Sequence, residues 1–200
     1  MTKKIVLTLL LVITTTISFS QYAWTNGEVI LKNGKTISGE VKIPVVSKDL
    51  IHFNGKSKVR VKDKTKGGKY VFNEDEVELI KFIYSDSEVA YFTYIPVSKK
   101  KKEIFCIITT GPVTLYGRAV GMTSSHPGMI TFHNLNEFYA QRANEKIATA
   151  LQTARPSKSF KNRAIDYFSN CPTVVSKLEN KTLNKDDIIR VVEEYNDCAG

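Results

Sequence analysis

Hydrophobic and polar residues alternate through the first half of the chain, in short runs separated by glycine-containing turns. The stretch GEVILKNGKTISGEVKI has Asn33–Gly34 between two alternating runs, and LIHFNGKSKVRV and KTKGGKYVF repeat the arrangement at Asn54–Gly55 and Gly67–Gly68. Such dipeptides favour the tight turns of β-hairpins. From residue 27 to about 97 the pattern therefore predicts an antiparallel meander. Its expected core residues are Ile30, Ile37, Val41, Ile43, Ile51, Phe53, Val59, Val61, Val71 and Phe72.

Two later segments, residues 89–97 and 104–110, are apolar at nearly every position. Strands of this composition are usually covered on both faces. The lysine run 99–102 between them predicts the exposed tip of a hairpin. Residues 134–151 fit two patterns, because Phe138, Arg142, Ile147 and Leu151 recur at helical spacing while Phe138 and Ala140 continue an alternation that begins at Ile130 and Phe132. We favour strands for this stretch.

The pattern becomes helical from Ser159 onward. Phe160, Ala164, Tyr167 and Phe168 share one face of a helix, Pro172 suits the first turn of a second, and Asn184 suits the cap of a third. Short helices with one apolar side need a platform, and the doubly apolar strands are the expected one. The chain thus predicts an α+β fold: an antiparallel sheet or partly open β-barrel over residues 21–151, a linker at 152–158, and three helices within 159–200 that pack on the sheet.

Residues 1–20 have the composition of a secretory signal peptide. Lys3 and Lys4 precede an apolar run at 5–13, and Ser18 and Ser20 suit a cleavage site. The run is shorter than a transmembrane helix needs, and no later run is longer. Because Gln21 rather than a cysteine would follow cleavage, the thiol of a lipoprotein anchor is missing. We therefore expect a soluble periplasmic or secreted protein that is not a lipoprotein and has no transmembrane segment.

Three cysteines occur in the chain. Cys171 begins the second predicted helix and Cys198 ends the third, and these points are neighbours in an antiparallel helical hairpin. An exported protein can keep a disulfide there, which would close a loop of 28 residues. Cys106 is then the unpaired cysteine. Its apolar neighbours should bury it, raise its pKa and make it unreactive.

Basic residues suggest one kind of binding surface. The formal net charge is +9, and removal of the two signal lysines leaves +7. The candidate anion-binding residues are a ladder of Lys56, Lys58, Arg60, Lys62, Lys64 and Lys66, together with Lys99, Lys100, Lys101 and Lys102. The ladder could track an anionic polysaccharide or bind lipid headgroups. Such runs are more often solvated strand faces, and Glu74, Asp75, Glu76 and Glu78 could neutralise them. The lysines have no aromatic residues between them, which disfavours nucleic acid.

No catalytic motif is visible. His52, His126 and His133 lack the spacing of a zinc site, and the chain has no GxSxG and no glycine-rich phosphate loop. We expect no catalytic residues, no metal and no cofactor. The favoured function is a non-catalytic envelope or extracellular protein that binds an anionic surface or another envelope protein. The alternatives are a hydrolase whose site the sequence does not reveal, and a carrier of a small apolar ligand around Tyr84, Tyr91, Phe92 and Tyr94.

Three stretches of the chain resemble a group of uncharacterised exported proteins from Bacteroidota. They are the opening GEVILKNGKTISGEVKI, the central NEFYAQRANEKIATAL, and FKNRAIDYFSNCPTVVSKL followed by IIRVVEEYNDC. The FSNCP and YNDC segments around Cys171 and Cys198 are the most specific part. The resemblance implies export, a β-rich body and a helical C-terminal segment. It also supports strands at 130–151 and the pairing of Cys171 with Cys198, and it implies no activity.

Overall fold

The computed structural model describes residues 24–43, 58–86, 88–118, 137–153 and 158–199. Within these ranges, ten strands form one antiparallel sheet. The strands are β1 Thr25–Leu31, β2 Thr36–Lys42, β3 Val59–Asp63, β4 Lys69–Phe72, β5 Val77–Ile83, β6 Val89–Ser98, β7 Lys101–Thr109, β8 Val113–Arg118, β9 Glu137–Arg142 and β10 Thr149–Gln152. Helices α1 Phe160–Tyr167, α2 Pro172–Glu179 and α3 Ile188–Ala199 follow, with a 3₁₀ turn at Lys185–Asp187 before α3. The expected α+β architecture is confirmed. The signal segment 1–20, Ile51, Phe53, Lys56 and the three histidines lie outside the described residues.

The order of the strands requires the sheet to curl. The sheet runs β10-β9-β8-β7-β6-β5-β1-β2-β3-β4, so three strands separate β4 from β5. In a flat sheet these two strands would lie about 19 Å apart. Yet only four residues connect the end of β4 at Phe72 to the start of β5 at Val77, which is a reach of about 17 Å at most. The first five strands therefore bend into a partial barrel.

The last five strands bend as well. The backbone N–H of Ala148, just before β10, donates to the carbonyl oxygen of Pro96 in β6 over 2.8 Å. Three strands lie between β6 and β10 in the sheet. A hydrogen bond between them is possible only if this part of the sheet also curves. The described sheet is thus a partly open β structure with two curved halves.

The first half encloses a core of alternate residues. Val41, Val59 and Val61 are fully buried in it, as the alternation predicts, and so is Val29. Two core predictions were wrong. Val71 is 52% exposed, because the period of two in β4 sends its neighbours Tyr70 and Phe72 inward instead. Ile30 is only partly buried, because Val29 and Leu31 occupy the inward positions of β1.

Strands β6 and β7 are buried on both faces, as predicted. Tyr94 and Ile95 are adjacent in β6 and belong to different core clusters, and so do Phe105 and Cys106 in β7. The helices, however, cover mainly β8, β9 and β10 rather than these two strands. They share a core with Val113, Leu115, Phe138, Ala140 and Leu151, and contact β7 near Ile108. The second face of β6 is covered by the curled sheet itself.

Local signals start the helices as the sequence predicts. The Ser159 side chain accepts a hydrogen bond from the N–H of Asn162, and Pro172 opens α2. Asn184 and Asp187 form a capping box at the 3₁₀ turn that leads into α3. The strands at β9 and β10 and the Cys171–Cys198 disulfide, with a Cα–Cα distance of 6.3 Å, are also confirmed. Cys106 is free and buried.

Two polar anchors attach the helices to the sheet. The Asn196 side chain in α3 accepts from the N–H of Val113 (2.8 Å) and donates to its carbonyl oxygen (2.9 Å), which continues the hydrogen bonding of β8. Arg142 in β9 lies 4.1 Å from the ring centroid of Tyr167 and donates to the hydroxyl of Tyr195. Since both anchors join a helix to a strand, α1 and α3 have fixed positions on the sheet.

Candidate anion-binding site

Strand β3 presents part of the predicted basic ladder on one face. Val59 and Val61 are completely buried, whereas Arg60 is exposed and Lys62 is half-buried on the opposite side of the strand. Lys58, just before the strand, continues this face. The ladder residues that lie in β3 therefore alternate with buried valines, as the sequence pattern predicts.

Neighbouring strands extend this face in two dimensions. Lys42 of β2 lies directly opposite Arg60, and Lys69 of β4 lies opposite Lys62. Residues directly opposite in an antiparallel pair point to the same side of the sheet. We call the five residues Lys42, Lys58, Arg60, Lys62 and Lys69 the basic face. The sequence ladder identified three of them, whereas Lys42 and Lys69 belong to other hairpin arms.

Gly39 allows β2 and β3 to approach closely beneath this face. A Cβ atom at Gly39 would overlap the backbone carbonyl of Lys62. Only glycine fits at this point, because any larger residue would push β3 away from β2. Gly39 therefore helps to position Lys62 against the residues of β2.

Lys62 has two partners, Glu40 on the neighbouring strand β2 and Trp24 just before β1. Its ammonium lies 2.9 Å from Oε2 of Glu40 and 4.2 Å from the ring centroid of Trp24. The hydrogen bond and charge of Lys62 lower the pKa of Glu40, so this carboxylate stays ionised at neutral pH. Lys42 also lies over the Trp24 ring, at 5.7 Å. Both distances are within the range of cation–π attraction.

Trp24 is a further residue of this site that sequence reasoning missed, besides Lys42 and Lys69. It is the single tryptophan of the chain, and it lies before β1, far in sequence from the lysines of β3. Nothing in the local pattern near Trp24 indicates a neighbour in β3. The pairing of β1 with β2 and of β2 with β3 brings them together.

The positive charge of the basic face exceeds its negative charge. Glu40 pairs with Lys62, and within the described ranges we find no ion pair or hydrogen bond made by the side chains of Lys58, Arg60 or Lys69. Two of the four acidic residues suggested as partners for the ladder are engaged elsewhere: Asp75 pairs with Lys102 at 3.3 Å, and Glu76 accepts from the N–H of Asn73. The basic face therefore has an excess of unneutralised cations.

The other predicted cations belong to the β3–β4 turn and the β6–β7 hairpin, and of these Lys64 lies close enough to Glu40 for its charge to help lower the pKa of that carboxylate. Lys64 and Lys66 are exposed in the β3–β4 turn, where Lys64 donates to Oδ1 of Asn26. Lys99 and Lys100 form the exposed tip of the β6–β7 hairpin, as predicted. Lys101 pairs with Glu103, and Lys102 with Asp75. In the order of the strands, β5, β1 and β2 lie between this hairpin and β3, while the curl of the sheet brings Lys102 to Asp75 in the β4–β5 connection.

A second charged cluster lies inside the curve of the last strands, and the sequence did not indicate it. Arg118 of β8 pairs with Glu103 of β7 and, at 2.7 Å, with Glu137 of β9, and its guanidinium lies 4.4 Å from the Phe105 ring centroid. The three charged side chains are 11–14% exposed. Burial alone would raise the pKa of Glu103, but Arg118 and Lys101 together lower it.

This cluster does not have the properties of a glycosidase-type carboxylate pair. A general acid must hold a proton near neutral pH, which requires a raised pKa. Glu103 has a lowered pKa, one arginine pairs with both carboxylates, and Lys101 pairs with Glu103 as well. The arrangement is that of a structural ion network between three adjacent strands.

The remaining candidate groups are mostly part of the core. Burial raises the pKa of Cys106 to about 12, which keeps this thiol protonated and a poor nucleophile. Phe92 and Tyr94 are buried in the core enclosed by the first half of the sheet, whereas Tyr91 is 43% exposed on the other face of β6. Tyr84 packs against the same core, so three of the four aromatic residues suggested for a ligand carrier share one interior as packed core side chains, and Tyr91 does not belong to it.

Comparisons with family models, with curated proteins and with solved structures found no match. Within the described ranges, no helix is long and apolar enough to cross a membrane. The same ranges contain no group of three or more histidine, cysteine, aspartate or glutamate residues that could hold a metal ion.

Proposed function

We propose that this is an exported, non-catalytic protein of the cell envelope or extracellular space, and that it acts by binding an anionic surface through the basic face. The observation that carries the proposal is the excess of cations on the outer side of β2, β3 and β4: among the described residues of this side, Glu40 pairs with Lys62, whereas Lys58, Arg60 and Lys69 add three further positive charges. The sheet fixes the backbone positions from which these side chains project, which lowers the entropy lost when a polyanion binds.

The disulfide supports the exported location. Cys171 and Cys198 are joined in the helical segment, and disulfides persist mainly in oxidising compartments such as the periplasm or the extracellular space. The composition of residues 1–20 points to the same route. The signal-peptide assignment, the compartment and the anionic partner are parts of the proposal.

Salt-dependent retention on a sulfonate resin tests the binding. The wild-type protein should be retained at low salt and released over a narrow range as salt increases, because multivalent ion contacts weaken steeply with ionic strength. Replacing Lys58, Arg60 and Lys62 by glutamine should remove most of the retention.

A second triple variant separates a local site from overall charge. Lys99, Lys100 and Lys185 are exposed and lie away from the basic face, and their replacement by glutamine removes the same charge. This control should elute close to the wild type. Equal shifts for the two variants, with thermal unfolding midpoints matching the wild type, would show that net charge alone causes retention and would refute the basic face as a site.

A further inference from the structure

The Trp24 ring adds an aromatic surface to the cations of the basic face. Lys42 and Lys62 lie within 5.7 and 4.2 Å of its centroid, and the ring is only partly buried at the start of β1. Arg60 lies beside Lys42 across the β2–β3 pairing. An aromatic ring and several cations therefore share one small part of the surface.

We infer that this part of the surface recognises acidic sugars, with the Trp24 ring stacking on the apolar face of a sugar ring while neighbouring cations bind its carboxylate or sulfate group. The inference rests on the proposed function, and it assigns the ligand class and one further contact residue. A pyranose ring has C–H groups on one face that pack against an indole, and an acidic substituent at its edge. Both features have a complement here, within the span of three adjacent strands.

The described surface favours carbohydrate over the other polyanions. Single-stranded nucleic acids bind through successive bases stacked on several aromatic residues. On the outer side of β1–β4, Trp24 is the single aromatic ring among the described residues, since Tyr70 and Phe72 point into the core. A membrane-binding surface inserts apolar side chains between lipids, and Val71 is the one exposed large apolar residue in these four strands.

Two anionic polymers distinguish sugar recognition from charge attraction: polyuronate, and polyacrylate diluted with neutral acrylamide units to match the charge spacing of polyuronate. Polyuronate has a carboxylate on each sugar ring, whereas polyacrylate has carboxylates without sugars. In titration calorimetry with the full chain at low salt, Trp24→Leu should weaken polyuronate binding about tenfold, by analogy with the loss of one aromatic stacking contact. Its binding to polyacrylate should stay within about twofold of the wild type.

Tyr91→Leu is the matched control, because Tyr91 is an exposed aromatic residue on β6, outside the basic face. It should leave both affinities unchanged. In the wild type, polyuronate should also change the fluorescence of Trp24, the single tryptophan, and Lys58→Gln/Arg60→Gln/Lys62→Gln should abolish that change.

Each contrary result has a distinct meaning. If the wild type binds neither polymer, the proposed function fails. If it binds both and Trp24→Leu weakens neither, or weakens both equally, the sugar-stacking inference fails while anion binding stands. If a single-stranded oligonucleotide or vesicles rich in phosphatidylglycerol bind more tightly than polyuronate at matched charge, the assignment of the ligand class is wrong.

Discussion

Loss of the Cys171–Cys198 disulfide should destabilise the whole described fold rather than the helices alone. The bond closes a loop between residues 27 positions apart. In the chain-entropy model, this restriction of the unfolded chain is worth about 3.5 kcal/mol. Cys198 is exposed, so Cys198→Ser should remove this amount with little change in packing.

Cys171 adds a packing contribution of its own. It is 1% exposed and belongs to the core shared by helices and sheet. Adding Cys171→Ala to Cys198→Ser should therefore cost about 1 kcal/mol more, for the loss of a small buried side chain. The single and double variants together separate the cross-link from the packing of the sulfur.

Urea unfolding followed by two probes measures both effects. Trp24 fluorescence reports on the first strands, and far-ultraviolet circular dichroism reports mainly on the helices. Ile108 packs against the core of the first half of the sheet and also against the core that the helices share with β8, β9 and β10. The two probes should therefore show coincident transitions in the wild type and in both variants. A helical transition that moves to lower urea while the fluorescence transition stays in place would refute the idea of one shared core. A loss below about 1 kcal/mol for Cys198→Ser would refute the entropy estimate.

Three further predictions concern single contacts, each measured as the change in the free energy of unfolding in urea. Asn196→Ala should cost about 2–3 kcal/mol, because it leaves the buried N–H and C=O of Val113 without their side-chain partner. Gly39→Ala should cost at least about 2 kcal/mol, because the added Cβ overlaps the backbone of β3. Arg118→Met should cost about 3 kcal/mol at neutral pH, because two buried carboxylates lose their shared cation. That cost should shrink as the pH falls. Because the pKa of Glu103 is lowered in the folded state, its ionised carboxylate stabilises the wild-type fold at pH values above 4.5, the ordinary pKa of the group. This contribution disappears as the pH falls through the folded-state pKa.

Each of these three predictions has a further measurement that can contradict it. Asn196→Asp keeps the acceptor but places a carboxylate oxygen against the carbonyl of Val113, so at neutral pH it should lose at least as much stability as the alanine variant. Ser38 lies next to Gly39 on the exposed side of β2, so Ser38→Ala should leave the free energy of unfolding nearly unchanged. For Arg118→Met, a cost that is the same at acidic and neutral pH would show that the arginine acts through its packing on Phe105 rather than through its charge.

The elements that depend on neighbouring residues could be predicted from the sequence. Gly34, Gly67 and Gly68 have φ values of 82°, 69° and 97°, the left-handed conformations that hairpin turns at these dipeptides require. Ser159, Pro172 and Asn184 start the helices through contacts within a few positions. The disulfide was also predictable, because it depends on the placement of two consecutive helices.

The long-range pairings could not be predicted in the same way. Nothing near β1 indicates that its second neighbour is β5, yet this pairing closes the first curve of the sheet. The inward phase of β1 likewise depends on its register with β2 and β5, which is why Ile30 was placed in the core instead of Val29 and Leu31. Arg118 and Glu137 face each other only because β8 pairs with β9.

The same limitation explains why the basic ladder alone was an incomplete description of the site. A run of alternating lysines in one strand defines a line of charge, and such lines are usually solvated. Pairing with β2 and β4 turns the line into a surface, adding Lys42 and Lys69 on either side. It also adds one carboxylate, Glu40, which reduces the charge but holds Lys62 in place beside Trp24. The selectivity proposed for the face therefore depends on the fold that brings a distant indole to these charges, and net positive charge by itself would attract every polyanion alike.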